Sequence, residues 1–226
     1  MSAYLRAVSA VLRKDLLLEW RSREGLTSMA FFSLLVTVVF GFALQAERID
    51  PQTTAPGLLW IAFSFSGVLG LSRSFALERE SGCLQGLMLA PVDRSALFLG
   101  KALGNLILVG VVEAVTIPVF SILLRVPVLS CLPRLALITF LATIGFAAVG
   151  TLLSAIASGS RLREVLLPLI LYPIWVPILI AAVQLTGLAL AGRPAAEGGQ
   201  WLTLIVVYDL VFIGAGLLLF DRLLEE

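Results

Sequence analysis

Two acidic residues lie inside long apolar stretches, where a carboxyl group has no ordinary packing role. Glu113 falls near the middle of one stretch and Asp209 lies midway along another. A charged side chain at the centre of a membrane costs roughly 2.5–3.5 kcal/mol, so such residues are usually functional or paired. The sequence supports two interpretations equally. One is a carboxyl kept neutral or bonded to a neighbouring Ser, Thr or Tyr, and the other is a polar cavity lining or proton-relay site.

Other residues that could carry chemistry are sparse. The chain has no histidine, which removes the commonest general base and metal ligand. Cys83 and Cys131 are its only cysteines, and two isolated thiols make neither a metal site nor a disulfide framework. Gly100-Lys101 is followed by Ala102 rather than Ser or Thr, so the phosphate-binding loop of nucleotide-binding proteins is not matched. We therefore predict no catalytic residue, no metal site and no cofactor bound by this chain.

The composition indicates a membrane protein, because 59% of the residues are hydrophobic and only 14% are charged. Soluble domains carry roughly 25% charged residues, and the net charge of +1 gives no support for binding nucleic acid. A spanning helix needs about 20 mostly apolar residues. We predict one all-α integral membrane domain over residues 1–226, with about six transmembrane helices. The predicted spans are Leu26–Leu44, Ala55–Ser72, Ser95–Leu124, Leu135–Ser158, Val165–Ala191 and Gln200–Phe220.

The orientation follows from Lys and Arg, which concentrate on the cytoplasmic side of membrane proteins. If the N-terminus is cytoplasmic, the opposite side holds only Arg48, Arg125, Arg134 and Arg193. The cytoplasmic side then holds Arg6, Arg13, Lys14, Arg21, Arg23, Arg73, Arg79, Arg94, Lys101, Arg161, Arg163 and Arg222. We therefore predict a multi-pass protein with both termini in the cytoplasm.

The first 25 residues are predicted to form an elbow helix that lies at the membrane interface rather than crossing it. At 100° per residue, its basic residues fall on one arc and its leucines and valines on the other. Asp15 and Glu19 interrupt the apolar side one turn apart, and Arg21 ends the basic arc. The two acids indicate one of two arrangements. Either they are locally hydrated, or they make a polar contact with a partner or with residues 73–94.

Residues 73–94 form the longest polar connection between predicted spans. Within it, Leu84, Leu87 and Met88 recur at helical spacing after the turn signal Ser81-Gly82, and Pro91 stops the helix. A short helix with an apolar ridge suits docking into a groove of another protein. The alternative is a helix that rests on its own bundle, and composition alone favours this alternative slightly.

The fifth predicted span carries Pro168, Pro173 and Pro177. Each proline removes a backbone donor and disfavours a straight helix, so the span is expected to hold either a static kink or a hinge. The static kink is slightly favoured. Gly100 and Gly104 form a G-x-x-x-G pair at the start of the third span, a spacing that permits close helix packing.

Four stretches of the chain have sequences that resemble those of a known protein family. Residues 77–101 contain E-R-E-x-G-x-L-x-x-L-M-L-x-P-V followed by Gly-Lys, and this pattern resembles the cytoplasmic loop of type-2 ABC exporter permeases. The other stretches are RKDLLLEWR at 13–21, APGLLWIAF at 55–63 and LLPLILYPIWVPILI at 166–180. With these, essentially the whole chain resembles the B-subunit family of cytochrome c maturation haem exporters.

The resemblance implies a division of labour in a bacterial inner membrane. A separate cytoplasmic ABC ATPase would bind and hydrolyse ATP, and this chain would transmit the motion through its cytoplasmic coupling helix between spans two and three. The coupling residues implied are Glu78, Glu80, Ser81, Gly82, Leu84, Leu87, Met88, Pro91 and Val92. The family complex also includes a haem-handling membrane subunit, a small single-span subunit and a periplasmic haem chaperone. A homodimer of this chain in membrane lipid is expected, with haem handled by the complex.

Two other functions compete with a permease subunit that serves cytochrome c biogenesis. The first is an ABC-2 permease that exports a lipid-linked glycan or a drug, and co-purified partners would distinguish it. The second, more remote alternative is an intramembrane enzyme that uses Glu113 and Asp209. The sequence leaves open whether this chain itself conducts haem.

Overall fold

The computed structural model describes residues 3–47, 50–74, 93–158, 160 and 162–223. Within these ranges the chain consists of seven α-helices and two short 3₁₀ helices, and no β-strand occurs in them. The α-helices are α1 (Ala3–Ser22), α2 (Glu24–Glu47), α3 (Pro51–Ser74), α4 (Arg94–Leu124), α5 (Leu132–Ser158), α6 (Arg163–Leu190) and α7 (Gly199–Leu223). The 3₁₀ helices are Val128–Cys131 and Ala195–Gly198.

Six segments of the described residues are long and apolar enough to cross a membrane. They are Glu24–Leu44, Gln52–Arg73, Arg94–Leu124, Val128–Ala157, Val165–Leu190 and Ala195–Phe220. Each overlaps one predicted span, and most boundaries agree within a few residues. The all-α fold with six candidate spans is therefore confirmed. The position of α1 at the membrane surface stays a prediction.

Helix α5 lies at the centre of the bundle, since 72% of its spanning window is buried against 17% for α7 and 22% for α2. It packs against α3, α4, α6 and α7. Glycines allow two of these approaches. A Cβ at Gly150 would collide with the Leu71 side chain of α3, and one at Gly145 would stand 3.1 Å from the Tyr208 ring of α7.

The six spans run alternately up and down, which gives the bundle two distinct ends. We call one the elbow end, because α1 lies there beside the start of α2, the end of α3 and the start of α4. Arg73 at the end of α3 pairs with Glu24 at the start of α2, and the Phe98 ring of α4 packs at a tilt against the Phe220 ring of α7, with the ring centroids 5.5 Å apart. The opposite end carries the two 3₁₀ helices, and the Arg134 Nη1 donates to the Arg193 carbonyl oxygen across it at 2.6 Å.

Candidate functional site

Helix α1 packs along the first turns of α4 over two glycines. A Cβ at Gly100 would stand 2.8 Å from Val11 Cβ and 3.1 Å from the Val8 carbonyl oxygen, so a larger residue would push α1 away. Val8 and Val11 are each only 6% exposed at this contact. At Gly104 a Cβ would meet Asp15 at an ordinary 3.7 Å. The two glycines therefore allow α1 to pack closely against α4, and this is not a contact between two spanning helices.

A buried ion pair holds the middle of α1 to α4. Lys101 is 3% exposed, and its Nζ lies 3.3 Å from Asp15 Oδ2. The other carboxylate oxygen of Asp15 lies 2.9 Å from Lys14 Nζ, on the more exposed side of α1. Asp15 thus sits between a buried and a partly exposed ammonium group, and its carboxylate compensates the charge of a lysine placed eight positions into a spanning helix.

Glu19 connects α1 to α2 at the turn between the two helices. Its Oε1 accepts a hydrogen bond of 2.7 Å from the Leu26 amide in the first turn of α2, where backbone donors have no helical partner. Arg23 between the helices has a φ of 56°, and its guanidinium lies 5.3 Å from the centre of the Trp20 ring. Arg21 is exposed in the last turn of α1. The acids of α1 therefore make contacts inside the chain at the elbow.

The predicted coupling residues lie outside the described part of the chain. They are Glu78, Glu80, Ser81, Gly82, Leu84, Leu87, Met88, Pro91 and Val92. On one flank, Arg73 Nη1 lies 3.0 Å from Glu24 Oε2. On the other, Asp93 caps α4 by accepting the Ser95 amide at 2.9 Å, and Ser95 Oγ lies 2.7 Å from Asp93 Oδ1 and 3.3 Å from the Tyr4 hydroxyl. The hydrogen bonds from the Ser95 hydroxyl and amide hold the pKa of Asp93 below its ordinary value.

Glu113 is buried between α4 and α5. Its Oε1 accepts a hydrogen bond of 2.7 Å from the Thr143 hydroxyl, and its side chain is 6% exposed. One turn further along α4, Thr116 lies 2.9 Å from Ser33 of α2 through their hydroxyl oxygens. The carboxyl thus belongs to a layer of buried polar contacts in the middle of the bundle. A role in transport stays a prediction.

Asp209 is also buried, at 6% exposure, but it lacks a comparable partner. Its Oδ1 has no hydrogen-bond partner among the described residues, and it lies directly against Gly145 of α5, where a Cβ would collide with it. The Tyr208 hydroxyl beside it donates to the Ile174 carbonyl oxygen at 3.1 Å. Both intramembrane acids therefore contact α5. Glu113 of α4 is hydrogen-bonded to its Thr143, and Asp209 of α7 packs against its Gly145.

The three prolines lie in one uninterrupted helix, since α6 runs from Arg163 to Leu190. Pro173 and Pro177 face outward, whereas Trp175 between them is buried. The Trp175 Nε1 donates to Ser64 Oγ at 3.1 Å. A reciprocal bond of 3.0 Å runs from Trp60 Nε1 of α3 to Thr186 Oγ1 of α6. The two tryptophans tie α6 to α3 on both sides of Pro177, and a hinge at Pro168, Pro173 or Pro177 stays a prediction.

Sequence reasoning missed the structural role of Lys101 and most of the buried hydroxyl contacts. The pairing of Lys101 with Asp15 could have been predicted. A lysine inside an apolar stretch requires an acidic partner to compensate its charge, and Asp15 lies on the apolar side of the preceding amphipathic helix. The bond of 2.8 Å from Asn105 Nδ2 to Thr151 Oγ1 had no such signal. Ser and Thr are frequent in spanning helices, and their partners depend on which faces meet.

Comparisons with known proteins agree with this arrangement. The family model described as "CcmB protein" matches residues 6–215. "Heme exporter protein B" of Rhodobacter capsulatus is 35% identical over 191 residues, which cover 84% of both chains. The protein of the same name from Paracoccus denitrificans is 32% identical over 199 residues and 88% of both chains, and that from Pseudomonas aeruginosa is 28% identical over 213 residues, 92% of this chain and 95% of the relative. This chain therefore belongs to the CcmB family.

Proposed function

We propose that this chain is the membrane permease subunit of an ATP-dependent ABC exporter complex that serves cytochrome c biogenesis. The observation that carries the proposal is its similarity, along most of its length, to proteins named "Heme exporter protein B". The six candidate spans suit a permease. In the sequence, the lack of a phosphate-binding loop is consistent with ATP hydrolysis on a separate chain.

The elbow end suits the site where motion from the ATPase enters the membrane. Both described flanks of residues 75–92 touch the elbow, through Arg73 with Glu24 and through Ser95 with Tyr4. A push on the connecting segment would therefore reach α2 and α4 together. Lys101 and Asp15 would carry the displacement of α4 to α1, because a buried ion pair resists separation.

The charge distribution supports an inner-membrane protein with both termini in the cytoplasm. Arg6, Arg13 and Lys14 lie on α1 at the elbow end, which also holds Arg73 and Arg94. Only Arg125, Arg134 and Arg193 of the described residues lie at the opposite end. The excess of positive charge at the elbow end supports a cytoplasmic position for that end. Cysteine labels at Gln52 and Gly198, in a chain with Cys83 and Cys131 replaced, should then react only from the periplasm.

The expected partners are those of the family. They are a homodimeric copy of this chain, a cytoplasmic ABC ATPase, a haem-handling membrane subunit, a small single-span subunit and a periplasmic haem chaperone. ATP would bind the ATPase, and haem would be handled by the complex. An intramembrane enzyme that uses Glu113 and Asp209 is disfavoured, because Glu113 already accepts a hydrogen bond from Thr143 within the bundle.

The function is tested by deleting the gene and purifying the tagged protein from the complemented strain in mild detergent. We expect loss of covalent haem attachment to c-type cytochromes in the deletion strain, and co-purification of an ABC ATPase with haem-binding partners. Normal cytochrome c maturation in the deletion strain would contradict the proposal. Co-purification of an ATPase with no haem protein, together with loss of a glycan or of drug resistance, would favour the alternative ABC-2 permease.

A further inference from the structure

A cavity of about 510 Å³ opens at the end of the bundle opposite α1, a volume within the range of small-molecule sites. It lies between the end of α2, the start of α3 and the end of α4. Leu44, Leu123 and Leu124 supply an apolar wall, and Asp50, Gln52 and Arg125 supply polar groups. Leu44 and Leu124 are buried, whereas the three polar residues are exposed. The cavity therefore joins the apolar interior of the spans to a charged rim.

Arg125 holds an unusual backbone conformation at this rim. It ends α4 with φ 55° and ψ 35°, the left-handed region where helices usually place glycine. A side chain is disfavoured there, because its Cβ approaches the following carbonyl oxygen. The turn itself is fixed by the Val126 amide, which donates to the Ser121 carbonyl, and by Ser121 Oγ, which donates to the Val126 carbonyl. Glycine would satisfy the same turn without strain, so the turn alone does not require an arginine.

Asp50 is held at the same rim by the start of α3. Its Oδ1 accepts the Gln52 amide hydrogen at 3.1 Å, which caps the helix. Among the described residues no ion pair joins Asp50 to Arg125, although both line the cavity. Among the described residues, the rim thus presents one cation and one anion that do not form an ion pair with each other, next to leucines at the membrane end of two spans.

We propose that this cavity binds the headgroup of an amino phospholipid of the surrounding membrane. The lipid phosphate would meet Arg125, whose planar guanidinium suits phosphate oxygens, and the ammonium group would meet Asp50. An acyl chain would lie against Leu44, Leu123 and Leu124. A headgroup with both charges matches the rim better than an anionic headgroup, which Asp50 would repel. The proposal does not depend on which substrate the complex exports.

Photo-crosslinking tests this site directly. The full-length protein, reconstituted in vesicles of the uncharged lipid diglucosyl diacylglycerol, is exposed to photoactivatable phosphatidylethanolamine or to the matching phosphatidylglycerol, and crosslinks are mapped by mass spectrometry. We expect the ethanolamine lipid to label peptides carrying residues 50–52 or 123–125 about tenfold more than the glycerol lipid, as a charge-assisted contact predicts. Equal labelling by the two lipids would overturn the proposal.

Two variants separate binding from folding. Arg125→Gly should lower labelling by the ethanolamine lipid about tenfold while leaving the unfolding temperature equal or higher, because glycine adopts the left-handed conformation without strain. Asp50→Asn keeps the helix cap and should remove the preference for ethanolamine over glycerol. Arg193→Gln, an exposed arginine at the same end outside the cavity, serves as the control and should label as the unaltered protein does. Unchanged labelling of Arg125→Gly would contradict the assignment.

Discussion

The two ends of the bundle are built on different principles. At the elbow end, a whole helix is packed over two glycines and held by a buried ion pair between Asp15 and Lys101. At the opposite end, two 3₁₀ helices close the spans, and the charged contacts are exposed, as in the 2.7 Å pair of Arg193 with Glu197. One end therefore has an additional packed layer, and the other has only short connections.

This difference suggests how motion could pass through the protein. A buried ion pair and close glycine packing fix the distance between two helices, because separation would leave a charge without its partner in an apolar place. Exposed ion pairs can open with little change in free energy, since water replaces the partner. We expect a force applied at the elbow end to move α1 and α4 as one unit, while the connections at the opposite end adapt.

The largest effect on stability is expected from Asp15→Leu. Loss of the carboxylate removes an ion-pair partner of the buried Lys101 ammonium and should lower the free energy of unfolding by about 3 kcal/mol. Unfolding by sodium dodecyl sulfate, followed by circular dichroism, measures the change. The double variant Asp15→Leu/Lys101→Met should recover most of the loss, because no charge then stays buried. A double variant as unstable as the single one would show that packing, and not the ion pair, holds the elbow.

A smaller effect is expected from Gly100→Ala. The new Cβ would lie 2.8 Å from Val11 Cβ, so α1 must shift, at a cost of roughly 1–3 kcal/mol. Gly110→Ala on the same helix is the matched control, since nothing lies within 4 Å of its Cβ position. The same unfolding assay should separate the two variants. Equal stability of both would mean that the approach of α1 to α4 is looser than the structure shows.

The smallest effect is expected at the opposite end. Arg193→Gln removes an exposed ion pair with Glu197, so the unfolding temperature should not change measurably, and raising the salt concentration should not alter that result. Differential scanning fluorimetry at two salt concentrations is sufficient. A clear destabilisation would remove the contrast between the two ends.

The spans and their number could be predicted from the sequence because they depend on length and apolar composition alone. Each of the six segments is a continuous apolar run of spanning length, so the number and approximate bounds of the helices follow directly. Gly100 and Gly104 could be predicted as a packing surface from their G-x-x-x-G spacing. Its partner, α1, depends on the tertiary arrangement and could not be obtained from spacing.

The polar contacts of the interior were less predictable. Glu113 stood out as an acid in an apolar run, but its bond to Thr143 depends on which face of α4 meets α5. Asp209 stood out equally and packs on Gly145 instead. Two carboxyls with the same sequence signal therefore have different surroundings, because the residue opposite each one is set by helix rotation and not by local pattern.

The most direct test of coupling at the elbow end is a matched pair of leucine substitutions. Leu87→Asp places a charge on the predicted coupling ridge, and Leu129→Asp does the same at an 84% exposed position of the opposite end. Burial of one leucine is worth about 1.5–3 kcal/mol, and each 1.4 kcal/mol is tenfold in affinity. Leu87→Asp should therefore lose ATPase co-purification by at least about tenfold, while Leu129→Asp keeps it. Unchanged co-purification in Leu87→Asp, or an equal loss in both variants, would contradict coupling at the elbow end.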